Sequence, residues 1–343
     1  MPTAGAASSG RCWRSRVALR FVLSRTLSCL LVGGELAGAL MAQAPPTATP
    51  QGPVPESYVL VGAGDIASCK ALEGAQATAK LIEQIPGTVW AAGDLAYEHG
   101  SATEFKNCYG TTWGKFKDRT RPALGNHEYA TPGAAAYFAY WGDAAGPKGK
   151  GYYSYDLGVW HVVVLNTNCA APGVGGCAKG SEQEIWLRKD LSAHPNACIV
   201  AYGHHALYSS GVFRKHAIHP ELVPFWEDLY AAHADLMLVG HEHSYERFAP
   251  QDPEGHLDFT RGIREIVAGT GGRSHDLLGF AVANSEVRNY DTYGVLKVVL
   301  MPHAYAWEFI PEAGHTFKDS GSGICHNQSP QDAKASGGNS KPQ

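Results

Sequence analysis

Five short clusters in this chain of 343 residues carry side chains able to bind cations. They are Gly64-Asp65, Gly93-Asp94 with Tyr97 close behind, Gly125-Asn126-His127-Glu128, Gly203-His204-His205 and Gly240-His241-Glu242-His243. Each places a glycine before Asp, Asn or His. A lone Gly-Asp after an apolar run is commonplace. Five such clusters together offer two carboxylates, an amide oxygen and several imidazoles, the oxygen and nitrogen donors that hard and borderline cations prefer. A set of that size suits two ions, and two ions need a ligand that bridges them. Asp94 is the expected bridge. Ions about 3.5–4 Å apart can activate water and clamp both oxygens of an in-line displacement.

Donors of this kind need strands to deliver them, because open α/β sheets build their sites at strand C-terminal ends. Apolar runs at residues 58–63, 88–92, 160–165, 199–202, 236–239, 263–268, 294–300 and 304–310 read as strands. Helices are expected over 71–84, with Leu72, Ala75, Ala79 and Ile82 on one face, over 182–193, and near 221–233. The stretch between 93 and 159 reads as a loop-rich insert. Strands outnumber helices toward the C-terminus, which suits two sheets packed face to face with helices outside. One catalytic domain is expected over 58–311. Residues 312–343 read as a tail, disordered from about 319 because Ser, Gly, Asn and Lys dominate it.

Residues 1–44 read as a signal peptide. Arg11, Arg14, Arg16, Arg20 and Arg25 precede an apolar core at 27–40, and Ala42-Gln43-Ala44 offers a small-x-small cleavage site. An uncleaved anchor is the alternative, but the run is shorter than the ~20 residues a spanning helix needs. Residues 45–57, rich in Pro, Thr and Gln, read as a linker. The leader holds five of the 28 Lys and Arg and one of the 32 Asp and Glu, which leaves 23 against 31, a net of −8. An acidic chain has no electrostatic reason to hold nucleic acid. No membrane partner is expected once the leader is gone, and the oligomeric state is open. Six cysteines follow the leader, an even number that agrees with export to a secreted or periplasmic location, and six allow fifteen pairings. The short Gly- and Pro-rich loop from Cys169 to Cys177 is the expected first pair. Cys69 and Cys108 follow the first two clusters and could staple those loops, which would leave Cys198 with Cys325.

The ordered motifs GD, GDxxY, GNHE, HHxxYSS and GHxHxYER resemble those of the calcineurin-like metallophosphoesterases, and within them the purple acid phosphatase-like branch. The resemblance runs from about Tyr58 to about Pro311. It implies an α/β fold, a four-layer α/β/β/α sandwich of two mixed β-sheets flanked by helices, in a short form lacking the N-terminal β domain of plant members. It implies that one metal takes Asp65, Asp94, Tyr97 and His243, and the other Asp94, Asn126, His204 and His241. The first motif continues Asp65-Ile66-Ala67, without the Asp-x-His of the broader family. Tyr97 stands where purple phosphatases place a phenolate, which favours ferric iron. Two metal ions are therefore expected, Fe at the Tyr97 site and Fe, Zn or Mn at the other. The resemblance makes His127 the general acid, with Glu128 orienting it, and gives His205 a catalytic place that is not a ligand's. His216, from a basic cluster with Arg214, Lys215 and His219, joins Asn126 and His127 as a candidate for holding substrate. Tyr208, Tyr245 and Arg247 complete the motifs and are expected to brace the ligands from behind. The implied activity is hydrolysis of small phosphate monoesters by attack of a metal-bound hydroxide. A phosphodiesterase or nucleotidase on the same scaffold, or a secreted metal-binding protein without turnover, are the alternatives.

Overall fold

The computed structural model describes residues 57–212 and 219–327, all within a compact unit that runs from Pro53 to Gln343. The expected leader and almost all of the expected linker lie outside the described residues. Fifteen strands occur among those described. They are β1 (Tyr58–Ala63), β2 (Ala67–Ser68), β3 (Thr88–Ala92), β4 (Ala96–Tyr97), β5 (Thr120–Ala123), β6 (Tyr153–Leu157), β7 (Trp160–Val164), β8 (Cys198–Tyr202), β9 (Leu236–Val239), β10 (Tyr245–Phe248), β11 (Arg264–Ala268), β12 (Ser285–Asn289), β13 (Gly294–Met301), β14 (Ala304–Pro311) and β15 (Ser320–Ile324). One sheet has the order β15-β14-β13-β1-β3-β5 and a second β12-β10-β11-β9-β8-β7-β6, while β2 and β4 form a two-stranded ribbon. Both large sheets are mixed. β1, β3 and β5 run parallel, as do β7, β8, β9 and β11, and the remaining pairs are antiparallel.

The continuous apolar runs of the sequence follow from burial on both faces. Along β8, Cys198, Val200 and Tyr202 point between the sheets, where they meet Leu60, Trp90, Ala92 and Trp160. Ile199 and Ala201 point the other way, onto Leu187, Leu191, Phe225, Trp226 and Leu229 of the helices Glu182–Ala193 and Val223–Ala231. On the first sheet, Val61 and Val89 face outward against Ala75, Ala79 and Ile82 of the helix Glu73–Glu83. Helix, sheet, sheet and helix are thus the four layers. Each fully buried Leu or Phe side chain contributes roughly 1.5–3 kcal/mol relative to exposure. Three disulfides close the fold, Cys69–Cys108, Cys169–Cys177 and Cys198–Cys325.

Two segments differ from the sequence reading. The insert between 93 and 159 contains β5, β6 and a helix, Ala135–Trp141. Its order rests on an aromatic cluster of Phe105, Tyr109, Trp113, Tyr137 and Trp141, which has no simple period. β5 carries Arg121 and Pro122, and it tolerates them because it is an edge strand. The described part of the tail, residues 312–327, supplies β15. Its glycines suggested disorder, yet they are what the pairing requires. Gly321 and Gly323 lie opposite Trp307 and Tyr305, and a Cβ on either would come within 2.3 Å of the facing ring.

Candidate metal centre

The five clusters meet where parallel strands of both sheets end. Asp65 follows β1, Asp94 follows β3, Asn126 lies just past β5, His204 follows β8 and His241 follows β9. The turns are interlocked: Asp65 N donates to Gly93 O at 3.1 Å and Ile66 N to Asp94 O at 2.9 Å. Asp65, Asp94 and His241 have positive φ of 61°, 52° and 70°. Left-handed non-glycine residues are held only where their surroundings over-determine them, and they cluster at functional sites. Glu128 holds this arrangement from beneath. Its buried carboxylate accepts the amides of Asp94 (2.9 Å), Leu95 (2.8 Å) and Gly125 (2.8 Å). Burial first, then the Asp94 charge, pushes its carboxyl up to about 7.

Two atoms in this cluster, Tyr97 Oη and His204 Nε2, each face more polar partners than one hydrogen can serve. Tyr97 Oη lies 2.8 Å from Asp65 Oδ1, 2.9 Å from Asp94 Oδ2 and 3.1 Å from His243 Nε2. His204 Nδ1 sits 2.7 Å from Ala92 O, a carbonyl that only accepts, so Nδ1 carries a hydrogen. His204 Nε2 then faces Asn126 Oδ1 at 3.0 Å, His241 Nδ1 at 3.1 Å and Asp94 Oδ2 at 3.4 Å. Asp94 Oδ2 belongs to both sets. Burial raises the Asp94 carboxyl, but the charge and hydrogen bond of His204 outweigh it and hold it below the usual range. Burial pulls His204 down, and the carboxylates of Asp94 and Asp65 reverse this and raise it to about 9. His241 is pushed down to about 4 by burial and by His204. Burial, then Asp65 and Asp94, lifts the Tyr97 phenol well above 10, so a strong cation is needed to ionise it. Two convergent sets of carboxylate, imidazole, phenol and amide oxygen that share one carboxylate oxygen fit two cations.

His127 stands beside this cluster. Its amide donates to Asp94 Oδ1 at 2.8 Å, its ring lies 4.4 Å from that of Tyr97, and Nε2 is 3.8 Å from Asp94 Oδ2. Nδ1 is 2.6 Å from Glu98 O, so this carbonyl, and not Glu128, sets the ring's orientation. His205 points Nδ1 at Thr167 Oγ1 (2.9 Å) and packs against the rings of His204, His219 and His241. His216, Arg214 and Lys215 lie outside the described residues.

Three expected braces are not behind the ligands. Tyr208 donates its hydroxyl to Asp252 O and packs on Trp226, while Tyr245 and Arg247 both donate to Asp319. Tyr245 and Arg247 share one face of β10, which carries their side chains to Asp319, and the loop after β8 turns Tyr208 onto the scaffold. Beside Glu128, residues that read as nothing in the sequence perform the bracing. Thr167 Oγ1 accepts the amides of His204 and His205, Ser274 Oγ lies 2.6 Å from His243 Nδ1, and Arg273 sits over the Tyr97 ring while donating to Glu98. Thr167 follows a strand end as the ligands do, a signal that could have found it. Ser274 and Arg273 arrive from a distant loop and left none.

Residues 58–245 match the calcineurin-like phosphoesterase family, and the chain belongs to it. Within that family it is similar to purple acid phosphatases. It is 26% identical over 203 residues to purple acid phosphatase 15 of Arabidopsis thaliana, a match covering 49% of this chain and 37% of that protein. It is 27% identical over 201 residues to probable inactive purple acid phosphatase 9 of the same plant, covering 46% of this chain and 29% of the relative. The matches thus span about a third of these relatives' length. Purple acid phosphatase PPD1 from yellow lupin shares the fold at a TM-score of 0.63 and 18% identity, over 79% of this chain and 54% of its own. The family is one of dinuclear metal-dependent phosphoesterases.

Proposed function

We propose that the chain is an exported phosphomonoesterase with two metal ions, one held by Asp65, Asp94, Tyr97 and His243 and the other by Asp94, Asn126, His204 and His241. The observation that carries this reading is the sharing of Asp94 Oδ2 between the two acceptor-rich sets. Bound cations would supply water activation and neutralise phosphate charge. A hard trivalent ion such as Fe³⁺ suits the Tyr97 set, and Fe, Zn or Mn the other. Three disulfides support export, since such bonds persist in oxidising compartments.

This chain's own residues supply positioning and a proton. Glu128 holds the Asp94 and Gly125 turns together through three amides, so that Asp94 and Asn126 keep their mutual placement. Arg273 and Glu98 flank Tyr97 and anchor the near wall. Water attacks phosphorus in line, the bond to the ester oxygen breaks, the departing alcohol takes its proton from His127 Nε2, and the proton the water gives up restores that nitrogen. Glu98 O occupies Nδ1, which leaves Nε2 as the nitrogen able to face substrate. The test combines metal analysis, a visible spectrum and turnover of nitrophenyl phosphate. Two ions per chain with turnover are expected. A protein that binds two ions and hydrolyses no phosphate ester would sink the enzymatic reading.

A further inference from the structure

Next to Asn126 and His205 lies a cavity of about 310 Å³, near the lower end for small-molecule clefts. Its far walls are the ring of Tyr129, the methyls of Ala170 and Ala171, and Cys169 of the Cys169–Cys177 loop. Tyr129 reaches this position because it sits three residues after Asn126 in a tight turn, with its amide donating to Asn126 O at 3.2 Å. At three-residue spacing in such a turn, side chains lie on one side.

We propose that this cavity receives the alcohol portion of the ester and selects a compact apolar or aromatic group over one that bears a second anion. The assignment rests on the phosphoesterase reading and deepens it. Three observations carry it. The cavity is continuous with the metal centre, because Asn126 and His205 line both. Several of its polar wall atoms are already engaged with protein. Tyr129 Oη accepts from Asn166 Nδ2 at 2.8 Å, Thr167 Oγ1 bonds His205 and two amides, and Asn168 Nδ2 donates to Leu124 O and Asn166 Oδ1. A sugar hydroxyl or second phosphate entering there would be desolvated with little in return. Finally, among the described residues no lysine or arginine lines the cavity, and its rim carries the Glu221 carboxylate, 3.0 Å from His219 Nδ1. A second anion on the substrate would meet that carboxylate.

The reaction transfers nothing to the protein. The P–O bond to the alcohol breaks, a P–O bond to water forms, and the alcohol leaves protonated into the cavity. Selectivity can be read without turnover by calorimetry on the metal-loaded protein, with methylphosphonate, phenylphosphonate and 4-carboxyphenylphosphonate as probes. Phenylphosphonate should bind about tenfold more tightly than methylphosphonate, from burial of the ring. The 4-carboxy group should cancel most of that gain, and Glu221→Gln should restore part of it. Ala171→Phe, which fills the cavity, and Tyr129→Ala, which strips its wall, should both bring the phenyl-to-methyl ratio toward one while methylphosphonate binding is unchanged. Phenylphosphonate binding no tighter than methylphosphonate, or a ratio unmoved by both variants, overturns the assignment. Absent turnover of phosphate esters would instead overturn the activity proposed above, and the phosphonate ratios would still be read.

Discussion

Around His161, two carboxylates and a second imidazole gather much as they do around His204, yet the two groupings are built to different ends. Asp156 Oδ1 lies 2.8 Å from His161 Nδ1 and Asp190 Oδ2 lies 2.7 Å from Nε2, while the His194 ring stacks at 3.7 Å. Each nitrogen of His161 has its own carboxylate. Burial pulls the ring's pKa down, and the two carboxylates more than reverse this, so an imidazolium completes the set. At the metal centre Tyr97 Oη and His204 Nε2 each face three polar atoms. Asp156, His161 and His194 are close enough to resemble a cation site. What distinguishes the two regions is the number of partners crowded around single atoms, and residue type alone does not reveal it.

The contrast is broken most severely at Asp94, the oxygen both sets share. Asp94→Ala should abolish turnover of nitrophenyl phosphate and leave less than one tightly held ion per chain. Two retained ions, by elemental analysis, would end the bridging role. His127→Ala should slow alkyl phosphates by on the order of 10²–10⁴-fold, with nitrophenyl phosphate much less affected and metal content unchanged. Equal losses on both substrates would move the proton donor elsewhere.

A smaller change should sharpen the role of the phenol. In iron-loaded protein, Tyr97→Phe should lose visible absorption and keep at least part of its metal. A colourless parent protein with full iron occupancy would take Tyr97 out of the ligand set. The smallest effect is expected at the closed cluster. His161→Ala should cost about 1.5–3 kcal/mol of stability, the scale of charged hydrogen bonds, with metal content and turnover intact. The raised pKa of His161 means its contribution is full below about pH 6.5 and is lost as pH rises through the folded-state value. Asp190, raised by burial but lowered overall chiefly by His161, contributes above about pH 3.8 and loses that contribution as pH falls. Thermal melts across pH should therefore show a stability maximum between those limits that the variant flattens. Loss of metal in this variant would contradict the separation of the two clusters.

Much of the sandwich could be read from the chain because strands covered on both faces are apolar at every position. β1, β3 and β9 occupy the residues expected, and the helix Glu182–Ala193 does as well. The aromatic layer of the insert was illegible, since Phe105, Tyr137 and Trp141 find one another only after the chain turns. β15 was misread because Ser-Gly-Ser-Gly-Ile has the composition of a loop, and its fitness as a strand lies in the rings of Trp307 and Tyr305 across from it.

The sequence by itself placed Asp65, Asp94, His204 and His241 at strand ends, since each follows an apolar run within two residues and a glycine directly before it allows the tight exit. It also determined the short Cys169–Cys177 loop. Only the tertiary structure decided that Asp94 Oδ2 is common to two acceptor sets, that Glu128 serves backbone amides and leaves His127 to Glu98 O, and that Tyr245 and Arg247 belong to Asp319. The physical reason is that these are counts of partners around single atoms. Such counts depend on where side chains from distant strands come to rest, over separations that local spacing does not encode.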